Sequence, residues 1–160
     1  MDDKSAITLH LNGTTREVRV DTRSLLVDVV RDLGARGARV GCHTGDCGAC
    51  TVLLDGQLVK SCLVLAVAVS GSAVTTIEGC SGPLAAALQA AFVARKGFQC
   101  GYCTSGMILT AMDLLAGNPD PTEREIRHAI GGNLCRCTGY EDIVDAVAGA
   151  AAVLRAEVVR

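Results

Sequence analysis

The sequence predicts an α+β fold in which a β-sheet half precedes an all-helical half. Short segments of alternating polar and apolar residues, separated by turn dipeptides, occupy the chain up to about residue 78. Longer segments with helical periodicity and an Ala- and Leu-rich composition follow. Eight of the nine cysteines fall into two sets of four, one set in each half. These observations indicate two small domains of different architecture.

The first half, residues 1–78, is predicted to be a β-grasp sheet crossed by one helix. Asn12-Gly13 and Asp55-Gly56 are both typical of two-residue hairpin turns. Thr22 is the predicted N-cap of a helix over residues 24–33, whose apolar residues fall on one face. The predicted strands are residues 6–11, 16–20, 51–54, 57–60 and 74–77.

The second half, residues 79–160, is predicted to be a four-helix bundle. It begins after a turn-forming segment that ends at Pro83, and proline suits the first turn of a helix. Thr122 and Glu125 have the spacing of a capping box, which is typical of a helix N-terminus. The predicted helices are residues 83–95, 104–117, 122–131 and 141–158.

Charge and composition exclude several classes of function. The net charge of −2 and the lack of a basic run argue against nucleic-acid binding. The longest apolar run, residues 62–69, is too short to span a bilayer. Met1 to Lys4 contains neither an apolar signal stretch nor a twin arginine, so we expect a soluble, cytoplasmic protein. No nucleophile with a base, carboxylate pair or phosphate-binding loop is recognisable, so no catalytic residue is predicted.

The first cysteine set has the spacing of a plant-type ferredoxin. C-x4-C-x2-C followed by a more distant cysteine is the pattern that holds one [2Fe–2S] cluster in those proteins. Three of the four cysteines lie in a Gly-rich loop, where small residues let thiolates and backbone amides converge. The hairpin through Asp55-Gly56 returns the fourth to the same place. The set comprises Cys42, Cys47, Cys50 and Cys62.

The second cysteine set consists of two pairs, each just before a predicted helix: Cys100 with Cys103, and Cys135 with Cys137. A four-thiolate cluster is anionic, and a helix N-terminus offers backbone amides and positive partial charge. The order helix, cysteine pair, helix occurs twice, which is a weak internal repeat suited to clamping one cluster. Tyr102, beside the first pair, and Tyr140, after the second, are interpreted as packing residues of an aromatic-poor core.

The cysteines alone are compatible with either iron–sulfur clusters or zinc. An odd number of cysteines in a cytoplasmic chain is not typical of a disulfide framework. Zinc also accepts four cysteines with short C-x2-C spacing. The three-cysteine Gly-rich loop and the single-residue gap between Cys135 and Cys137 favour iron–sulfur clusters. Cys80, the ninth cysteine, has no ligand role left and is predicted to be a small buried residue.

Three segments carry the most specific motifs. They are G-C-x4-C-G-A-C-T from Gly41 to Thr51, Q-C-G-Y-C-T from Gln99 to Thr104, and G-N-L-C-R-C-T-G-Y from Gly132 to Tyr140. Through these motifs nearly the whole chain resembles the small iron–sulfur subunit of the molybdenum hydroxylases, the family of xanthine oxidase, aldehyde oxidoreductase and CO dehydrogenase. The resemblance implies an electron-transfer subunit of an oxidoreductase complex, with two [2Fe–2S] clusters and no substrate site of its own.

The resemblance also implies partners, cofactors and site residues. A large subunit would hold molybdopterin, expected in a dinucleotide form, a medium subunit would hold FAD, and the complex would be a dimer of heterotrimers. Electrons from the molybdopterin centre would cross the cluster of the second set and then that of the first set to reach FAD. Gln99 matches the family's glutamine that contacts the pterin, and Cys137 is the cluster ligand closest to it. Many members have Asp or Glu at the position of His43 and Pro at that of Ser105, which leaves cluster ligation unaffected.

Two other functions are open: a stand-alone ferredoxin-type carrier and a zinc-binding interaction module. A free carrier is expected to have more surface acid than this chain, and a zinc module would be colourless. In the family interpretation, partner protein covers residues near 41–48, 99–104 and 132–140. The sequence does not indicate a substrate, because the residues that select it are expected in the large subunit.

Overall fold

A computed structural model describes residues 3–158 of the chain. Residues 1–2 and 159–160, at the ends of the two expected domains, lie outside the described residues. The strands are β1 (Lys4–Leu11), β2 (Thr14–Asp21), β3 (Thr51–Leu54), β4 (Gln57–Lys60) and β5 (Ala73–Thr75). The helices are α1 (Leu26–Asp32), α2 (Pro83–Ala94), α3 (Thr104–Gly117), α4 (Glu123–Ile130) and α5 (Glu141–Val158). The predicted fold class, a sheet with one helix followed by four helices, is confirmed.

The five strands form one mixed sheet in the order β2-β1-β5-β3-β4. The β1–β5 pairing is parallel, and the other three pairings are antiparallel. Both predicted hairpin turns are present, because Asn12 and Gly13 have φ of 50° and 78°, and Asp55 and Gly56 have φ of 49° and 82°. Two consecutive positive φ angles are the requirement of a type I′ turn, whose twist matches that of the strands.

Helix α1 begins later than predicted, and Thr22 is not its N-cap. The N-cap is Leu25, which is extended and has no side-chain cap. Leu25 instead forms an isolated antiparallel bridge with Leu65, and the Ser24 carbonyl accepts the Ala66 amide at 2.9 Å. The residues before α1 are therefore held extended by pairing with a distant segment, which overrides the local capping preference.

Strand β5 is shorter than the predicted strand over residues 74–77. Thr76 is buried, and its amide donates to Asn12 Oδ1 while its hydroxyl accepts from Asn12 Nδ2, both at 2.9 Å. These bonds take Thr76 out of the sheet ladder, and a 3₁₀ turn over Ile77–Gly79 follows.

The four helices of the second half are confirmed with nearly the predicted bounds. The capping box at the start of α4 is formed, since Glu125 N–H donates to Thr122 Oγ1 at 3.3 Å and Thr122 N–H donates to Glu125 Oε2 at 2.7 Å. Helix α2 packs on α3 and α5, and α4 packs on the same two helices from another side. The four helices thus form a bundle.

The described residues contain two separate apolar cores. One lies between α1 and the sheet and includes Leu9, Leu26 and Val52. The other lies among the four helices and includes Phe92 and Met107. Among the described residues, no helix is long and apolar enough to cross a membrane. The two halves meet where α3 contacts β3 and β4, close to both cysteine sets.

Candidate metal centres

The first site, defined as Cys42, Cys47, Cys50 and Cys62, lies within the sheet domain. Cys42 and Cys47 belong to the loop after α1, Cys50 directly precedes β3, and Cys62 lies in the 3₁₀ turn after β4. Cys50 and Cys62 are buried, whereas Cys42 and Cys47 are partly exposed. The loop depends on Gly41, because a Cβ at that position would lie 2.8 Å from Cys47 Sγ.

The thiols of the first site differ in their surroundings. Cys47 N–H donates to Cys42 Sγ at 3.4 Å, and the Cys50 thiol lies close enough to Cys62 to affect its pKa. Hydrogen bonds from the Thr44 side chain and from the amides of Cys47 and Thr44 lower the pKa of Cys42 to about 6. Burial, with the neighbouring Cys50 thiol, raises the pKa of Cys62 to about 11. Because thiolates are the metal ligands, metal binding would release a proton from the buried thiol.

The second site, defined as Cys100, Cys103, Cys135 and Cys137, is assembled by the helical bundle. Cys103 is the N-cap residue of α3, and Cys135 and Cys137 lie between α4 and α5. Cys100 Sγ lies 3.5 Å from Cys137 Sγ, and the Cys135 thiol lies close enough to Cys103 to affect its pKa. All four line one cleft of about 130 Å³. The structure therefore brings together the two cysteine pairs that the sequence separates.

The second site is open on one side. Cys100 and Cys137 are exposed, Cys103 is buried and Cys135 is partly buried. Burial, together with the Cys135 thiol, raises the pKa of Cys103 to about 12. Burial also acts to raise the pKa of Cys135, but the Thr138 hydroxyl, 3.1 Å from its Sγ, helps to bring that pKa below its ordinary value. The Tyr102 backbone amide lowers the pKa of Cys100.

Three other predicted residues lie near these sites. Gln99 is exposed, and among the described residues its side chain has no hydrogen-bond partner. Cys80 is half-buried rather than fully buried, and its thiol donates to the Thr76 carbonyl at 3.4 Å. His43 is exposed in the first loop, with its Nε2 3.8 Å from Asp28 Oδ1 on α1.

The interpretation of Tyr102 as a core packing residue is wrong. Tyr102 is 47% exposed, and its hydroxyl donates to the Val40 carbonyl at 2.7 Å. Arg39 lies over its ring at 5.4 Å and also donates to the Gly101 carbonyl. These contacts hold the Cys100–Cys103 loop against the sheet domain. The sequence held a signal for them, since both tyrosines of the chain lie within cysteine motifs.

The two sites are in contact. The Leu134 amide, one residue before Cys135, donates to the Cys47 carbonyl at 2.9 Å. Cys47 also lines the cleft of the second site. Tyr140 supports this contact, because its hydroxyl accepts the Cys135 amide at 2.9 Å.

Each site offers four thiols, the donor set that a two-iron cluster needs. A structural zinc ion needs four ligands around one point, whereas a [2Fe–2S] cluster divides four cysteines between two irons. Within residues 3–158, no three His, Cys, Asp or Glu side chains are grouped so that they could hold a single ion. In the second site Cys100 Sγ and Cys137 Sγ lie 3.5 Å apart, and Cys103 and Cys135 line the same cleft. The donors therefore fit one [2Fe–2S] cluster per site.

Comparison with known families agrees with this division. Residues 9–75 match the family described as "2Fe-2S iron-sulfur cluster binding domain". Residues 76–148 match a different family, "[2Fe-2S] binding domain". The chain thus contains two [2Fe–2S]-binding domains of different types, one in each half.

Relatives identify the family. The nicotine 6-hydroxylase small subunit of Paenarthrobacter nicotinovorans is 46% identical over 146 residues, which are 91% of this chain and 88% of that protein. The nicotinate dehydrogenase small FeS subunit of Eubacterium barkeri is 46% identical over 147 residues, which are 91% of this chain and 94% of that protein. The chain belongs to the family of small iron–sulfur subunits of molybdenum hydroxylases. Its role is therefore electron transfer within an oxidoreductase.

Solved structures show the same fold for this small iron–sulfur subunit. A chain of quinoline 2-oxidoreductase from Pseudomonas putida 86 matches with a TM-score of 0.89 and 42% identity, over 97% of this chain and 98% of that chain. The aldehyde oxidoreductase from Desulfovibrio desulfuricans matches with a TM-score of 0.87 and 43% identity, over 95% of this chain but 17% of that chain. The small subunit thus corresponds to a whole chain in the first protein and to a part of a much longer chain in the second.

Proposed function

We propose that this chain relays electrons from a molybdopterin centre in a large subunit to FAD in a medium subunit. In this proposal the first site ligates one [2Fe–2S] cluster within residues 1–78, and the second site ligates another within residues 79–160. A bound [2Fe–2S] cluster supplies reversible one-electron chemistry at low potential. The chain's own residues hold the clusters, limit access of water and set the distance between them. No substrate site is proposed in this chain.

The observation that carries the proposal is the contact between the two sites. The Cys47 carbonyl and the Leu134 amide join a predicted ligand loop of each site by one hydrogen bond of 2.9 Å. Two cofactors that worked independently would need no such contact. An electron relay needs the two sites to lie close together, since an electron that enters one site must leave through the other.

The exposed edge of the second site supports the proposed direction of the relay. Cys100 and Cys137 are exposed, and the unpartnered side chain of Gln99 lies beside them in sequence. An exposed amide that has no bond within the described chain is available to a pterin in a partner. This edge is therefore the proposed entry for electrons from molybdopterin. The exposed face of the first site, at Cys42 and His43, is the proposed exit towards FAD.

Apolar side chains around the cysteine loops support a bound subunit over a free carrier. Leu134 is 56% exposed beside the second site, and Leu63 is 63% exposed beside the first. A freely diffusing carrier would leave these side chains in water, at a cost of about 25 cal/mol per Å² of apolar surface relative to burial. We therefore place partner surfaces over residues 41–48, 99–104 and 132–140. A dimer of heterotrimers is the proposed assembly.

The test is to purify the tagged chain anaerobically from cells that carry its natural partners. We expect about four iron and four acid-labile sulfide per chain, from two two-iron clusters. Molybdenum, pterin and FAD should co-purify in fixed ratio, and the native mass should match two copies of each subunit. A stable iron-containing monomer without molybdenum or FAD would favour the free carrier. A chain that retains zinc and no iron would favour the interaction module.

A further inference from the structure

Asn133 lies between the two domains and contacts both. It is buried, with 3% exposure. Its Nδ2 donates to the Thr110 hydroxyl at 2.6 Å and lies 3.4 Å from the Gly106 carbonyl, so one end of the amide is fixed to α3. Its Oδ1 lies 3.4 Å from the Thr51 hydroxyl at the start of β3, which donates its proton to the Gly48 carbonyl at 2.7 Å. One buried side chain therefore joins the helical bundle to the sheet.

The space around the Asn133 amide leaves no room for a larger group. A Cβ on Gly48 would lie 1.8 Å from Asn133 Oδ1, and a Cβ on Gly106 would lie 2.4 Å from the Gly48 carbonyl oxygen. That oxygen belongs to the backbone and cannot rotate away as a flexible side chain can. The two glycines let the domains approach closely, and the Asn133 amide fills the remaining space.

The main chain of Asn133 leads directly into the contact between the two sites. Its neighbour Leu134 donates to the Cys47 carbonyl, and Cys135 follows. The Tyr140 hydroxyl lies 3.3 Å from the Asn133 carbonyl and accepts the Cys135 amide. Asn133 is thus fixed by its side chain on one flank and by Tyr140 on the other. Because Leu134 follows Asn133 directly, the position of Asn133 helps to fix the Leu134 amide against the Cys47 carbonyl.

We propose that Asn133 is a positioning residue that holds the Cys47–Leu134 hydrogen bond and so sets the separation of the two clusters. The proposal rests on the proposed function, because it requires two clusters in one chain. With both clusters bound, Cys135 would hold the donor and Cys47 the acceptor of a single electron. The donor is oxidised by one electron, the acceptor is reduced by one, no bond breaks and no proton moves. Since electron tunnelling weakens steeply with distance, loss of Asn133 would slow this step.

The test uses variants of the intact, cluster-loaded complex. Asn133→Ala removes the amide, and Thr110→Val removes its hydroxyl partner at almost unchanged volume. Thr110→Ser keeps the hydroxyl and is the matched control for Thr110→Val. Thr122→Ala removes the side-chain cap of α4, outside the junction, and controls for a general loss of stability.

Two measurements report whether Asn133 positions the two sites, separately from its contribution to stability. EPR of the fully reduced complex reports the magnetic interaction of the two clusters as a splitting or as faster relaxation. Amide hydrogen exchange reports the Leu134 N–H. We expect Asn133→Ala and Thr110→Val to lose the magnetic interaction and the protection of the Leu134 amide. Thr110→Ser and Thr122→Ala should keep both.

The outcomes separate this inference from the proposed function. An unchanged magnetic interaction in Asn133→Ala with both clusters present would overturn the inference and leave the relay intact, even if the variant unfolds at a lower temperature. Two wild-type signals without any interaction would also overturn it. If Asn133→Ala fails to fold, Thr110→Val against Thr110→Ser decides the question. A wild-type complex without two cluster signals would instead overturn the proposed function.

Discussion

The two cysteine sites differ in how far the chain itself encloses them. In the first site Cys50 and Cys62 are buried and no thiol is fully exposed, whereas in the second Cys103 is buried while Cys100 and Cys137 are exposed. The first site comes from one stretch, residues 42–62, closed by its own sheet domain. The second comes from two loops that only the packing of four helices brings together. The first site is therefore enclosed mainly by its own domain, while the second leaves two of its thiols exposed.

Substituting one cysteine at a time tests whether the two sites are independent. Of the predictions made for the two sites, this one has the largest expected effect. Cys50→Ser and Cys103→Ser should each remove one cluster and leave the other, so that iron falls from about four to about two atoms per chain. Iron analysis and EPR of the reduced chain measure this. Cys80→Ser is the matched control, because this thiol belongs to neither site and donates only to the Thr76 carbonyl. Loss of both clusters from one substitution would show that the sites fold as a unit.

Solvent access should rank the two clusters. In the chain freed from its partners, we expect an iron chelator to remove the second cluster before the first, because two of its thiols are exposed. The rates can be followed from the EPR signal of each cluster after timed exposure. Binding of the large subunit should slow loss of the second cluster most. Equal rates in the free chain would contradict the difference in enclosure.

The variant Gly106→Ala tests how tightly the two domains pack at the contact between the sites. Its Cβ would meet the Gly48 carbonyl oxygen at 2.4 Å, so we expect a loss of about 2 to 3 kcal/mol from overpacking. Gly117→Ala in the same helix meets nothing within 4 Å and should be neutral or stabilising by up to about 1 kcal/mol. Urea unfolding followed by circular dichroism compares the two. If Gly106→Ala proves as stable as Gly117→Ala, the junction is looser than its geometry indicates.

The framework of the first site should respond to pH through Glu78. Burial acts to raise the pKa of Glu78, but hydrogen bonds from the Thr76 hydroxyl and the Gly37 amide, each 2.6 Å, bring it below its ordinary value of 4.5. The stabilisation is complete above the pKa of the unfolded carboxyl and is lost as the pH falls through the lower folded value.

Glu78→Gln should therefore cost about 1 kcal/mol at neutral pH, after allowance for the exposure of the carboxyl. The difference from wild type should shrink as the pH falls below about 4. Unfolding at a series of pH values measures this, and a difference that stays constant across the series would contradict the role of the charge.

Local signals in the sequence predicted the fold well, and tertiary contacts account for what it missed. The Thr122–Glu125 capping box and the Asn12-Gly13 turn formed as expected, because each is complete within four residues. Thr22 failed as a cap because Leu25 pairs with Leu65, forty residues further on.

The same distinction holds for the sites. Cysteine spacing predicted two sets of four thiols, and the fold places the four cysteines of the second set along one cleft. It could not predict the open edge at Cys100 and Cys137, because exposure depends on how the helices pack. Asn133 lies within one of the recognised motifs, but the sequence did not indicate its role, because its neighbours Thr110 and Thr51 lie on other elements.

The most direct test of the account is a spin count. The anaerobically purified protein, reduced with dithionite, would be examined by EPR with spins quantified against protein. Two distinguishable S = 1/2 signals that total about two spins per chain are expected from two reduced [2Fe–2S] clusters. An EPR-silent protein that holds zinc and no iron would contradict the account.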